Sequence, residues 1–210
     1  MMPVRSILPI RRLNPTKQPK EGKWTEHKKD LQEDFNFHCA YCGSYDGFRH
    51  TWYEVDHFIP KSFFIPLKNI STVDYSNLVY SCKFCNNKKL SKWPSQSESI
   101  YHVNNQGFVD PCNLDYENHL YRTTKGSIMW KTDLGEWMVK RAFKFDERDY
   151  SIRILWQINE TRKLIDKFVE QLSKIEEDSE EYLNIKNKAN ELCFEYYYLD
   201  KELMNYYNSL

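Results

Sequence analysis

Four cysteines, two asparagines, an aspartate and a histidine carry the chemistry legible in this sequence, and all eight fall between positions 39 and 86. Cys39-Ala40-Tyr41-Cys42 and Cys82-Lys83-Phe84-Cys85 are two CxxC pairs separated by 39 residues. Four thiolates suit a tetrahedral Zn²⁺ and leave no coordination position open, so such a site is structural. The bland alternative is a pair of buried reduced knuckles without metal. Between the pairs lies Asp56-His57. Asp56 offers the hard oxygen that Mg²⁺ prefers. His57 follows it on a strand, hence on the opposite side of the backbone, and a neutral imidazole takes a proton from water near physiological pH. Asn77 offers an amide carbonyl to hold the other ring nitrogen, and Asn86, read as the start of a helix, offers a further oxygen to a metal. A helix start favours phosphate, and Lys88 and Lys89 add positive charge beside it. A base, a hard cation and phosphate-binding groups together specify hydrolysis of a phosphodiester.

The order Cys-x2-Cys, Asp56-His57, Ile59-Pro60, Asn77-Leu78, Cys82-x2-Cys85-Asn86 and Lys88 closely resembles the HNH endonucleases of the ββα-metal fold. The resemblance implies His57 as general base, Asn77 as the residue that orients it, and Asp56 and Asn86 as ligands of the catalytic cation. With asparagine at the last position the ligand is an amide oxygen, which favours Mg²⁺ or Mn²⁺ over Zn²⁺. In the mechanism it implies, His57 activates a water for in-line attack on phosphorus. Glu54, on the strand face of Asp56, reads equally as an auxiliary metal ligand or a structural hydrogen-bonder. Lys61 reads equally as a phosphate contact or an ordinary surface lysine. The implied substrate is DNA. A more diffuse resemblance links Asp110-Pro111-Cys112, His119-Leu120, Gly126-Ser127-Ile128 and the helical tail to bacterial HNH proteins of anti-phage defence, the PtuB-like nuclease subunits of Septu type. Those work beside an ATPase subunit, which would make the C-terminal helices a docking surface. The competing reading is a zinc-knuckle nucleic-acid-binding module with a degenerate nuclease centre, against which Asp56, His57, Asn77 and Asn86 stand together.

The elements that must position these residues follow from periodicity and turn residues. The fold class is α+β, a zinc-stapled ββα core with an N-terminal arm and a C-terminal helical hairpin. Residues 1–22 hold four prolines and read as an extended basic arm. A short helix follows, with Trp24, Leu31 and Phe35 at helical spacing and His27 as a surface residue. Residues 52–59 and 77–81 read as strands, 61–76 as a connection broken by Pro66, and 86–92 as a helix. A ββα unit of this size cannot hold itself by burial, so a metal staple is physically expected. Residues 23–150 form the nuclease domain, with residues 126–139 read as a hairpin. Apolar residues at helical spacing from 154 to 175 and from 183 to 204, divided by an acidic link, predict two antiparallel helices over 151–210. Their tyrosines, Tyr196, Tyr197, Tyr198, Tyr206 and Tyr207, exceed what one helix face buries, so part of the stripe is available to a partner. Cys112 and Cys193 read as buried small apolar residues.

Composition bounds the rest. The 210 residues carry no formal net charge and no run of about 18 apolar residues, so no membrane span is expected. Pro3 and Pro9 break the amino terminus, which lacks a signal-peptide core. The cysteines are then expected to be reduced and the protein cytoplasmic. Charge is unevenly spread: residues 1–30 hold eight basic residues against three acidic, whereas residues 174–210 hold four against nine. A local basic patch beside the motif is what phosphate binding needs.

Overall fold

Trp24–His27 forms a single 3-10 turn that runs directly into α1 (Lys28–Asp34). The computed structural model describes residues 1–5, 7–67, 69–177 and 179–209. After the first cysteine knuckle, β1 (Tyr53–His57) is followed by α2 (Lys61–Leu67), β2 (Leu78–Cys82) and α3 (Lys83–Lys89). Small elements come next: β3 (His102–Val103), β4 (Gln106–Gly107), α4 (Tyr116–His119), β5 (Leu120–Arg122), β6 (Ile128–Trp130) and α5 (Asp133–Trp137), which continues as a π-helical turn, Met138–Ala142. Two long helices close the chain, α6 (Tyr150–Leu172) and α7 (Glu180–Asn208). The chain divides into two units, one comprising Met1–Thr123 and Ser127–Arg148, the other Thr124–Gly126 and Asp149–Leu210.

In the first unit β1 and β2 pair antiparallel, with Tyr53 opposite Cys82, Val55 opposite Tyr80 and His57 opposite Leu78. Directly opposed residues share a face, so these six lie on one side and Glu54, Asp56, Val79 and Ser81 on the other. Both faces are covered. Tyr80 reaches Gln32 of α1 from the first face, while Asn86 and Lys89 of α3 bond Glu54 and His57 from the second side and the strand edge. That is why every residue of β2 is buried and its sequence, Leu-Val-Tyr-Ser-Cys, shows no polar alternation. The core continues through an aromatic cluster in which Trp93 and Phe143 flank Phe108.

Several expectations change. The helix after the second knuckle begins at Lys83, so Asn86 stands at its fourth residue, and a seven-residue helix offers no anion site at its start. Residues 61–67 are helical despite Pro66. The hairpin expected over residues 126–139 is instead β5 with β6, because Thr132 accepts a bond from Gly135 N and turns the chain into α5. Residues 1–22 are irregular, as the prolines require, but Val4 is buried in the core and Met2 bridges to Arg122 of β5. Their arginines are engaged: Arg5 pairs with Glu117, Arg11 with Asp110, and Arg12 with Asp30, Glu33 and Asp34. His27 is buried edge-on against Tyr75 rather than on the surface. Cys112 is half-buried and Cys193 exposed.

The second unit is a helical hairpin. Asp149 caps α6 by accepting from Ser151 N, and Ser179 caps α7 by accepting from Tyr182 N. Tyr150 donates to Glu202 and Tyr206 to Asp149, which joins the start of α6 to the end of α7 and makes the pair antiparallel. Tyr197, Tyr198 and Tyr207 are exposed, while Tyr196 and Tyr206 are half-buried. No helix of the described residues is long and apolar enough to cross a membrane.

Candidate active site

The four knuckle cysteines come together first. Their Sγ atoms lie within 4.8 Å of one another and all four residues are buried. A Zn²⁺ tetrahedron with bonds of about 2.3 Å has edges of about 3.8 Å. The Cys42–Cys82 sulfur separation of 3.9 Å fits that ion. Local backbone enforces the arrangement: Gly43 N donates to Cys39 O at 2.9 Å and Cys82 N to Cys39 Sγ at 3.3 Å. Burial opposes ionisation of every thiol, yet bonds from neighbouring sulfurs carry Cys42 and Cys82 below the ordinary thiol value.

At the far end of β1, His57 is 4% exposed. Its Nε2 lies 2.8 Å from the Thr72 carbonyl. A carbonyl oxygen only accepts, so Nε2 carries the proton and a neutral ring presents Nδ1 as a lone pair. Trp24 and Phe64 hold the ring at centroid distances of 5.2 and 5.5 Å. Burial lowers the His57 pKa, which the Thr72 bond and Asp56 partly offset. The imidazole is therefore a free base at neutral pH.

Asp56 lies on the other face of the strand. Its Oδ2 accepts from Tyr41 OH at 2.7 Å and pairs with Lys89 Nζ at 3.3 Å. Oδ1 is the oxygen left for another partner. Asn86 donates Nδ2 to Glu54 Oε2 at 2.7 Å, which fixes the amide and directs its oxygen away from that carboxylate. Asn77 does not hold the His57 ring. Its Oδ1 accepts from Ile59 N at 2.8 Å and its Nδ2 donates to Ile59 O at 3.1 Å. It clamps the chain where it leaves β1 and so positions His57 through the backbone.

Residues 39–92 match the family model described as HNH endonuclease. This segment is an HNH domain. No curated protein and no solved structure matches the chain. The HNH domain covers roughly a quarter of the sequence, and residues outside it complete the site.

Lys89 was expected at the phosphate. It is fully buried, and its Nζ donates to His57 O at 2.7 Å while neutralising Asp56. A side chain without solvent access touches no substrate; Lys89 joins the backbone at His57 to the Asp56 carboxylate. Burial pushes its pKa down and Asp56 pulls it part of the way back. Lys88 is half-buried and pairs with Glu147 at 2.6 Å; with Lys144, it holds that carboxyl down to about 2. Lys61 sits 3.8 Å above the Trp24 ring, beside the base.

Three contributors lay beyond the sequence reading. Tyr41, within the first knuckle, bonds Asp56. The Thr72 carbonyl is backbone and has no side-chain signature. Arg148 is buried with Nη2 3.6 Å from Cys82 Sγ and 3.4 Å from Ser44 Oγ, and its Nε and Nη1 have no protein partner among the described residues. Burial works against its charge, but the sulfurs of Cys42, Cys82 and Cys85 beside it favour the protonated form. Four thiolates around Zn²⁺ would carry a net charge of about −2, and Arg148 would offset part of it. Only the three-residue spacing of Asn86 and Lys89 on a helix signalled that both face the sheet.

Proposed function

We propose that the chain is a metal-dependent endonuclease that hydrolyses DNA phosphodiester bonds, with His57 as general base. The observation that carries this reading is the Thr72 carbonyl on His57 Nε2, which frees Nδ1 within an HNH domain. A water at Nδ1 would lose its proton to the ring as its oxygen attacks phosphorus, while the opposite P–O bond breaks and the departing sugar oxygen takes a proton from solvent. His57 and Asp56 leave opposite faces of β1 at its last two residues, so the phosphate meets them at the strand end and not over either face. Asp56 Oδ1 and the Asn86 amide oxygen are the hard donors that would hold Mg²⁺ or Mn²⁺. Such a cation supplies charge stabilisation at the phosphoryl oxygens. Tyr41 and Lys89 keep the Asp56 carboxylate in one orientation, and Asn77 keeps the base-bearing turn closed. Lys61, over the Trp24 ring, is the lysine we assign to the phosphate backbone; Lys88 would serve there only on leaving Glu147. The Cys39, Cys42, Cys82 and Cys85 site takes Zn²⁺ and does no chemistry.

The Septu-type resemblance suggests the setting, a cytoplasmic effector of anti-phage defence acting with an ATPase subunit that docks on α6 and α7. The exposure of Tyr197, Tyr198 and Tyr207 on α7 supports that helix as a contact. The decisive experiment is cleavage of plasmid DNA across Mg²⁺ and Mn²⁺. His57→Ala should keep its zinc and lose cleavage by about 10²–10⁴-fold. Full activity in that variant removes His57 from the role. DNA binding without cleavage by the parent chain under every metal would instead support the degenerate binding module.

A further inference from the structure

We propose that the first unit carries a second nucleic-acid contact, a basic groove ending at Trp52 that takes an unpaired DNA strand flanking the cleaved bond. This rests on the nuclease reading above. The groove encloses about 820 Å³ and is lined by Lys17, Lys28, Lys29 and Arg49, with Glu26 and Asp46 as its acids and Trp52 at its edge.

Charge singles it out. The chain is neutral overall, and Arg5, Arg11, Arg12, Lys88 and Lys89 of the same unit are tied to carboxylates. Lys17, Lys28, Lys29 and Arg49 are all exposed, and none forms a salt bridge among the described residues. Of the two acids, Asp46 is already occupied by Tyr80 OH and by Gln32 Nε2 at 2.7 Å. Four exposed cations against two carboxylates give the groove a net charge of +2 in a neutral molecule, which is the footprint of a phosphate backbone.

Trp52 identifies the partner more closely. It is 74% exposed, although the backbone around it is fixed. Lys83 N donates to its carbonyl at 2.8 Å, and the next residue, Tyr53, is stacked on Tyr80 and buried. A flat, exposed ring on an anchored backbone at the end of a basic groove is a stacking platform, and the face of a base is available to it only where the strand is unpaired.

The groove also has the right relation to the chemistry. Thr25 and Glu26 line it, and the preceding Trp24 lies edge-on to His57. From Trp52 to His57 the extended chain advances about 16 Å, or about five nucleotide steps of a stacked strand. A strand cut beside His57 and running along β1 would therefore reach Trp52 about five nucleotides away.

The test measures fluorescence anisotropy of labelled single-stranded DNA and of the matching duplex with the full-length His57→Ala chain, which binds without cutting. The single strand should bind more tightly. Adding Trp52→Ala should weaken single-strand binding about tenfold and leave duplex binding within about twofold, while Trp52→Phe restores most of the loss. Lys28→Glu with Lys29→Glu should weaken both. Zinc content equal to that of the parent shows that each variant is folded. Unchanged single-strand affinity in Trp52→Ala and in the double variant overturns the groove; if the wild-type chain still cleaves DNA, the nuclease reading stands alone. Tighter duplex binding that ignores Trp52 overturns the assignment to an unpaired strand. Single-strand binding that depends on Trp52, in a wild-type chain that cuts nothing, keeps the groove and sinks the nuclease reading.

Discussion

The proposed role of His57 as a base rests on neighbours that act on different atoms. The Thr72 carbonyl fixes the tautomer, Trp24 and Phe64 keep water from the ring faces, and burial favours the neutral form. Because burial lowers the pKa, and the ring acts deprotonated, cleavage should persist as pH falls through the ordinary imidazole value of about 6.5 and decline only below it. Single-turnover rates against pH measure this; an acid limb centred above about 6.5 would contradict it. Lys89 makes a second residue-scale prediction. With its ammonium removed, Asp56 is left as a buried carboxylate held only by Tyr41. Lys89→Met should lose about 3–5 kcal/mol of stability by urea denaturation. A surface lysine that touched DNA would instead lower affinity and leave stability unchanged.

At the scale of elements, the ββα unit is two five-residue strands and a seven-residue helix. That is too little apolar area to order itself, and a metal on the four cysteines would join its entrance to its exit. Zinc binding to such sites contributes on the order of 10 kcal/mol, so chelation at neutral pH should unfold the first unit, as read by loss of near-ultraviolet dichroism. The first knuckle also depends on Gly43, whose φ of 64° is left-handed and whose missing Cβ leaves room for the Val4 carbonyl. Gly43→Ala should therefore destabilise by about 1–3 kcal/mol, measured as a lower thermal midpoint at saturating zinc. A midpoint equal to the parent's would show that the knuckle tolerates a different turn.

Over the whole molecule, charge does more than its net value of zero suggests. The arginines of the N-terminal segment are spent on internal pairs, and the acidic tail lies in the helical hairpin. Four exposed cations without a salt bridge among the described residues, Lys17, Lys28, Lys29 and Arg49, line one groove of the first unit. Neutralising about four phosphates of a single strand gives a slope near −3 for log affinity against log salt concentration. Anisotropy titrations at three or more salt concentrations measure it, and a flat dependence would remove the groove from binding.

Much of the site was legible in the sequence because its parts are local. CxxC turns place two sulfurs within one knuckle, adjacent Asp56 and His57 must face opposite ways on a strand, and helical periodicity over the last 60 residues or so can form nothing but helices. These readings depend on spacing, which the chain carries wherever it folds. Partners that meet across long separations carry no such mark. Arg148 reaches Cys82 across 66 positions, Val4 N meets Glu117 across 113, and the His57 acceptor is a backbone carbonyl that any residue supplies. Asn77 was placed on the ring by its chemistry and went to the Ile59 backbone instead, since both groups of its amide find partners there at once. Lys89 looked like a phosphate contact because a lysine beside a metal motif ordinarily faces water. Only packing turned it inward, where a buried carboxylate across the strand needed a cation. Residue type and spacing determined the reaction class, and the burial of charge among distant neighbours decided which residues serve it.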